Sequence, residues 1–334
     1  MKLKKTSLAT ALVAALAMGA AGQASASVYA GSSLDVSNLV IGFVNQNTGA
    51  VITNLSPNFT FNVEDSATLN GSTQAFAASC SSLLGNCSAV PPVLAVNAAN
   101  APGSSLTRAN NDYTLLGQGN GTYANSNAEI TTAQLVNGFP SESQQVAEAE
   151  LLVSGAGQAS SNIQSNTTWT FDFVIDTNTA LMSLSFVANP EMKADVTLIP
   201  PFTSGLAQAN LTTNFTLSRE GVPLIVWSPN GAGTGLLCGF GLTCNAAEGE
   251  SLNITLGVGP ESESAQHSLG TAGTNFSLIA QGLTEGRYSL TLAALTSVNV
   301  TQVPEPGTLV LLGGALAALG VGGLRRRREE KVAA

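Results

Sequence analysis

The sequence predicts an all-β fold, an antiparallel β-sandwich or jelly-roll-like ectodomain, and three observations support this class. Segments alternate apolar and polar residues, as in TWTFDFVID, where Trp169, Phe171, Phe173 and Ile175 share one face. Gly, Asn and Pro separate such segments, as they do at turns between strands. The chain is 44% hydrophobic but only 10% charged, so it can fill a core while Thr and Val supply the strands.

The elements follow from this alternation, taken in chain order. The segments predicted as strands are LDVSNLVIGFV, NFTFNV, TWTFDFVID, MSLSFV, ADVTLI, NLTTNFTLSR, SLNITLGV and RYSLTLAALTSVNV. SESQQVAEAELLVSG differs because it is rich in helix formers, and with Ser141 or Ser143 as the N-cap it predicts a single helix.

Residues 67–121 alternate poorly and are rich in Asn, Ser, Pro and Gly. This composition predicts an irregular insertion with long loops. No repeat of fixed period is visible, so we expect one large β-rich domain over residues 27–300 rather than two separate domains.

The first 26 residues have the three parts of a secretory signal. Lys2, Lys4 and Lys5 precede an apolar run, and Ala24-Ser25-Ala26 is a small-x-small cleavage site. We therefore expect the Sec machinery to export the chain and signal peptidase to remove residues 1–26. The mature chain then begins at Ser27.

The C-terminal segment predicts a membrane span that follows an exposed processing site. Residues 308–324 are uncharged and, at ~1.5 Å per residue, long enough for a single transmembrane helix. The basic tail 325–334 begins with Arg325, Arg326, Arg327 and Arg328, which hold that end in the cytoplasm. Prolines keep the preceding residues out of the helical region, so 301–307 is expected to be an extended stalk accessible to an enzyme.

The order of these parts resembles the PEP-CTERM sorting signal. The motif is Val303, Pro304, Glu305 and Pro306, and a glycine-rich apolar span and an arginine cluster follow it. The resemblance implies processing by exosortase, a membrane-embedded cysteine transpeptidase of Gram-negative bacteria. It implies an inner-membrane intermediate, then the cell surface or extracellular matrix, with a link to exopolysaccharide, biofilm or flocculation. A single-span anchor that is never cut is the alternative.

Three internal segments resemble a subset of these exported proteins that carries a Glu-Asp-Ser-Ala signature. The segments are VEDSATLNG, FVANPEM and VWSPNGAG. This second resemblance implies a related fold and no particular chemistry.

The charge balance restricts the class of partner. The whole chain carries −9, and residues 27–303 carry −14, because most basic residues lie in the two terminal signals. Nucleic acid and anionic lipid are therefore excluded as partners of the exported part. The scattered carboxylates allow weak structural calcium binding, but no Asp-x-Asp-x-Asp-Gly loop is present, and no other cofactor or metal is expected.

The four cysteines form two close pairs, Cys80 with Cys87 and Cys238 with Cys244. An exported chain meets an oxidising compartment, so disulfides are expected. Three connectivities exist, and two local bridges are the simplest. Zinc is less favoured, because the spacings are not Cys-x2-Cys and no histidine accompanies the pairs.

No residue is predicted to be catalytic. His267 is the only histidine, its neighbours predict a solvated loop, and no Gly-x-Ser-x-Gly elbow is present. Four acidic residues could in principle pair for glycoside hydrolysis, though no motif supports them. These residues are Glu64, Asp65, Asp172 and Asp176.

Trp169 and Trp227 can serve either as core residues or as platforms for stacking sugars. The sequence therefore favours a non-catalytic surface or matrix protein. The alternative is a secreted carbohydrate-binding or carbohydrate-active protein that uses acidic loop residues and these two tryptophans.

Overall fold

The computed structural model describes residues 25–55, 58–82, 95–100, 103–131, 141–154, 159–177, 179–198, 202–270 and 272–304. These residues form 16 β-strands, and the described part contains no helix. The strands pair antiparallel in two sheets. The predicted all-β, antiparallel class is confirmed.

Sheet A comprises β1 (Ser25–Asn45), β4 (Val96–Asn97), β5 (Tyr123–Thr131), β6 (Ser141–Ser154), β8 (Ala180–Thr197), β12 (Thr243–Glu248), β14 (Glu263–Ser268) and β15 (Thr274–Leu283). Their order is β12-β15-β8-β1-β6-β5-β4, and β14 also pairs with β8. The first described strand therefore lies at the centre of this sheet.

Sheet B comprises β2 (Asn58–Leu69), β3 (Ser72–Ser82), β7 (Ala159–Ile175), β9 (Phe202–Arg219), β10 (Val222–Trp227), β11 (Leu236–Cys238), β13 (Ile254–Val258) and β16 (Gly286–Pro304). Their order is β11-β10-β9-β16-β7-β2-β3, and β13 also pairs with β9. The last described strand is central here.

The two sheets pack their apolar faces into a single hydrophobic cluster. Aromatic rings extend through it: Phe171 stacks on Phe59 and on Phe173, each with centroids 4.7 Å apart. Phe43 from sheet A lies 4.7 Å from Phe173 of sheet B, which joins the sheets directly. The alternation predicted for β7 is confirmed, since Trp169, Phe171, Phe173 and Ile175 are buried whereas Asp172 and Val174 are exposed.

The predicted helix over SESQQVAEAELLVSG is wrong: these residues form β6. β6 pairs with β1 on one side and β5 on the other, so its backbone groups are bonded along both edges. Residues 145–151 are buried on both faces, and tertiary packing of this kind overrides intrinsic helix propensity.

The predicted irregular insertion 67–121 is partly regular. β2 continues to Leu69 and β3 follows after a two-residue turn at Asn70 and Gly71, whose φ values are 48° and 80°. Positive φ at both positions is the geometry that joins twisted strands in a tight hairpin. Residues 103–122 do form a long loop, which packs on the outer face of sheet A.

Candidate functional site

The start of the predicted sorting motif lies inside sheet B. Val303 pairs with Ser204 and Pro304 with Phe202, as the final residues of β16. The expected exposed stalk 301–307 is therefore wrong at its beginning, because Gln302 is fully buried and pairs with β9 and β7. The motif follows the sheet with no spacer.

The other parts of the C-terminal signal lie outside the described residues. These are Glu305, Pro306, the apolar segment 308–324 and the cluster Arg325, Arg326, Arg327 and Arg328. In the part of the chain that is described, no helix has the length and apolarity needed to cross a membrane.

The predicted signal-peptidase site lies at the start of β1. Ala24 falls outside the described residues, whereas Ala26 and Ser27 pair with β6 at Val153 and Leu152. The Ser27 hydroxyl donates to Glu150 Oε1 at 2.7 Å. The predicted first mature residue is thus fixed in the fold.

The two predicted processing sites lie at the same end of the sandwich. Gly205 of β9 pairs with Gln302, and a Cβ placed on Gly205 would lie 2.7 Å from a methyl group of Val28. A larger residue at 205 would separate β1 from β9 at this point. The close approach brings the beginning of β1 next to the end of β16.

Cys238 and Cys244 form a disulfide, as predicted, with Cα atoms 6.0 Å apart. The bridge closes the short connection between β11 and β12, and so links an edge strand of sheet B to an edge strand of sheet A. Cys80 is also disulfide-bonded, and Cys87 lies outside the described residues.

A buried ion pair that the sequence analysis missed anchors the long loop over sheet A. Arg108 in the loop contacts Glu148 of β6, and both side chains are completely shielded from water. Arg108 Nε donates to Asn125 Oδ1 at 2.8 Å, and its Nη1 donates to the carbonyl oxygen of Thr114 at 2.7 Å. The guanidinium therefore joins the loop to sheet A through hydrogen bonds and an ion pair.

Two glutamates two residues apart in β6 bind the backbone of the same loop. The Glu148 carboxylate accepts hydrogen bonds from the amides of Leu116 and Gly117 at 3.0 and 2.9 Å. The Glu150 carboxylate accepts from the amides of Gly119 and Asn120 at 2.8 and 3.0 Å. In a strand, residues two apart share a face, so AEAEL directs both acids at the loop.

Burial perturbs the titration of this cluster. It raises the pKa of the Glu148 carboxyl above its ordinary value, although Arg108 and the hydrogen bond from Tyr29 act in the opposite direction. Burial, followed by the nearby Glu148 charge, raises the pKa values of Tyr29 and Tyr123 far above the ordinary phenol range. Both phenols therefore stay neutral and available as donors at physiological pH.

A third carboxylate, that of Glu248, organises the segment VWSPNGAG. The Trp227 indole donates to Glu248 Oε1 at 2.6 Å, and the amides of Asn230 and Gly231 donate to Oε2 at 2.9 and 2.8 Å. Glu248 therefore pins this loop to β12. The other two segments of the same resemblance, VEDSATLNG and FVANPEM, lie mainly in β2 and β8.

Both tryptophans belong to the core, so their predicted alternative role as sugar platforms is wrong. Trp169 is 4% exposed and Trp227 is 0% exposed, because both lie on inward positions of sheet B. The predicted loop around His267 is also wrong: His267 lies in β14 and pairs with Met192 of β8.

Of the four acidic residues considered for hydrolysis, Glu64 and Asp172 lie too far apart to act as a catalytic pair. Asp65 is 2% exposed and faces inward, whereas its neighbour Glu64 is exposed. Glu64 and Asp172 share the outer face of sheet B, but six residues of β2 separate their rows, about 20 Å at ~3.4 Å per residue. Glycosidase carboxyls lie within ~10 Å of each other. Asp176 follows the end of β7.

Among the described residues, no group of three or more His, Cys, Asp or Glu side chains is arranged to hold a metal ion. The long loop 103–122 uses its polar groups for internal bonds to β5 and β6.

The last two residues of the central strand β16 are also the first two residues of Val-Pro-Glu-Pro. This motif is typical of proteins that carry a sorting signal in their C-terminal segment. Residues 302–328 match the family model described as the PEP-CTERM protein-sorting motif. This chain therefore carries a PEP-CTERM protein-sorting motif. The motif implies export, a surface or extracellular location, and exosortase as the processing partner.

No curated protein matches the chain. Two solved structures with some similarity are the infectious bursal disease virus Gt strain and the T=1 particles derived from infectious bursal virus. Both are 12% identical, cover 84% and 87% of this chain, and are covered over 81% and 84% of their own lengths. Their TM-scores of 0.11 and 0.07 are too low to show a common fold.

Proposed function

We propose that this protein is a non-catalytic component of the cell surface or extracellular matrix of a Gram-negative bacterium. Exosortase removes its C-terminal segment, and the remaining domain associates with exopolysaccharide in a biofilm or floc. The observation that carries the proposal is the PEP-CTERM match over residues 302–328, which begins in the last three residues of β16.

The position of the motif supports processing of a folded domain. β16 pairs with β7 on one side and β9 on the other along almost its whole length, so removal of residues beyond Pro304 leaves its ladder intact. The domain can therefore survive the loss of its membrane segment.

The distribution of buried charge supports a structural rather than a catalytic role. The pair Arg108–Glu148 and the neighbouring Glu150 are sealed beneath the loop, and their hydrogen bonds go to protein groups. A catalytic acid needs access to substrate, which these groups lack.

The sorting step is tested by Glu305→Ala and, separately, by deletion of residues 325–328. We expect either change to leave an unprocessed, membrane-retained form, because one alters the motif and the other removes the stop-transfer charge. Intact mass spectrometry of the protein from membrane and culture fractions measures the outcome.

The matched control is Glu285→Ala, which removes an exposed acidic residue just before β16. It should be processed like the natural chain. A processed mass in all three variants would refute exosortase sorting at this motif.

A further inference from the structure

The central part of the outer face of sheet B carries uncharged hydroxyl and amide side chains. Register places Thr60, Thr170, Thr291 and Thr216 side by side in one row across β2, β7, β16 and β9. All four are partly exposed on the side opposite the core. Adjacent strands lie about 4.8 Å apart, so the row presents regularly spaced hydroxyl groups.

The neighbouring row continues the pattern. Asn62, Thr168 and Asn214 lie on β2, β7 and β9, with Ala293 of β16 between the last two. These two rows are described completely and contain no charged residue. The central part of the face therefore offers uncharged donors and acceptors in a protein whose exported part carries −14.

Two open grooves border these rows on the same face. One, of about 540 Å³, is lined by residues that include Glu64, Ala77, Asn166 and Leu295. The other, of about 510 Å³, is lined by residues that include Asp172, Glu220 and Arg287. The rows of Glu64 and Asp172 are about 20 Å apart along β2.

The chemistry of this face selects one class of occupant. A nucleic acid or an anionic lipid surface requires a basic patch, and the charge balance here is acidic. Protein interfaces place aromatic and arginine side chains at their centre, but the aromatic residues of β2 and β7 face inward. An uncharged polymer rich in hydroxyl groups matches neutral hydroxyl and amide groups.

We propose that the outer face of sheet B binds an uncharged polysaccharide chain, which lies along the strands from one groove to the other. This inference rests on the proposed function and specifies the chemistry of its matrix partner. The chain crosses the threonine row midway between the grooves, where the hydroxyls of Thr60, Thr170 and Thr291 bond to sugar hydroxyls, and the two grooves receive sugar rings at the ends of the path. Many weak contacts along a polymer give firm attachment through multivalency.

The test uses the full chain in detergent and compares it with the variant Thr60→Ala/Thr170→Ala/Thr291→Ala. Affinity electrophoresis in gels that contain dextran, yeast mannan or hydroxyethyl cellulose measures binding to uncharged polymers, and alginate provides an anionic one. We expect at least one uncharged polymer to retard the natural chain. Loss of three hydroxyl groups should weaken that binding about tenfold.

The control variant is Ser185→Ala/Ser277→Ala, which removes two paired hydroxyls from β8 and β15 on the outer face of sheet A. It should bind like the natural chain, and circular dichroism melting should show that both variants are folded. Binding to no uncharged polymer, preference for alginate, or equal losses in both variants would overturn the proposal. Dimerisation abolished by the threonine variant would assign the face to a second copy and also overturn it.

The result of the polysaccharide-binding test can be separated from the result of the sorting test. Processing of the threonine variant in cells reads the sorting signal alone, since the three changes leave every residue of the matched motif, 302–328, unaltered. Loss of polysaccharide binding with normal processing would remove the glycan inference only, whereas binding by a chain that is never processed would remove the sorting proposal only.

Discussion

Arg108 is the residue on which the long loop over sheet A depends most. Its partner Glu148 has no access to water, so loss of the guanidinium leaves a buried carboxylate with amide and phenol donors but no counter-charge. Breaking one partner of such a pair is far more costly than losing a surface charge.

We expect Arg108→Met to lower the free energy of unfolding by about 3–5 kcal/mol. Urea denaturation followed by fluorescence of the buried tryptophans measures the change. Arg287→Met is the matched control, because Arg287 is exposed and its replacement should have little effect. Equal losses in the two variants would show that the pair does not hold the loop.

Stability should also depend on pH through Glu148. Its folded-state pKa is raised by burial above the ordinary value of 4.5, so between these two values the folded protein binds more protons than the unfolded chain. Stability is then greatest at or below the ordinary value and declines as pH rises through the folded pKa. Thermal melting from pH 5 to pH 8 should show a falling Tm, with a smaller slope in Glu148→Gln. A Tm that rises over this range would contradict the assignment.

At the scale of elements, β16 is the strand that completes sheet B. β7 and β9 both pair with β16 and not with each other, so the sheet has no continuous ladder without it. β3 and β11 are edge strands that pair on one side only, so the integrity of sheet B depends less on them.

A chain that ends at Glu285 should therefore fail to fold, whereas a chain that ends at Pro304 should fold and unfold cooperatively. Circular dichroism and the cooperativity of urea unfolding distinguish the two. A native-like transition in the shorter chain would show that β7 and β9 can close the sheet alone.

Strands could be predicted from the sequence wherever one face is buried and the other is exposed to solvent. The alternation of β7, from Trp169 to Ile175, translates directly into the core pattern. β6 was not predictable in this way, because the loop 103–122 buries its second face and removes the alternation. The sequence did contain one signal, the alternation of Glu148 and Glu150 with alanines. Two acidic side chains on the same face of a strand need hydrogen-bond donors when they are buried.

The candidate site was predictable at the chain end and not within the domain. The sorting motif is a local sequence signal, so the residues themselves carry it. The tryptophans could not be assigned without the register that turns both inward. The threonine row was equally hidden, since its four members come from strands that are far apart in sequence and meet only through pairing.

For the whole molecule, the proximity of the two ends of the domain makes a further prediction. Val28 and Gln302 both lie next to Gly205, on facing sheets that pack about 10 Å apart. A circular permutant that joins Pro304 to Ser27 through a short Gly/Ser linker, opened at the Asn70–Gly71 turn, should fold with a Tm close to that of the linear domain. The same linker with the chain opened inside β16 is the control and should not fold. If neither permutant folds, the two ends of the domain lie further apart than the short linker can span.

The central place of β16 also has a consequence for secretion. β16 is the last strand of the described residues, so in a chain exported from its N-terminus sheet B is completed only when this strand has crossed the membrane. The sorting motif begins in the final residues of the same strand. Completion of the sheet and exposure of the motif outside the membrane are therefore expected to coincide.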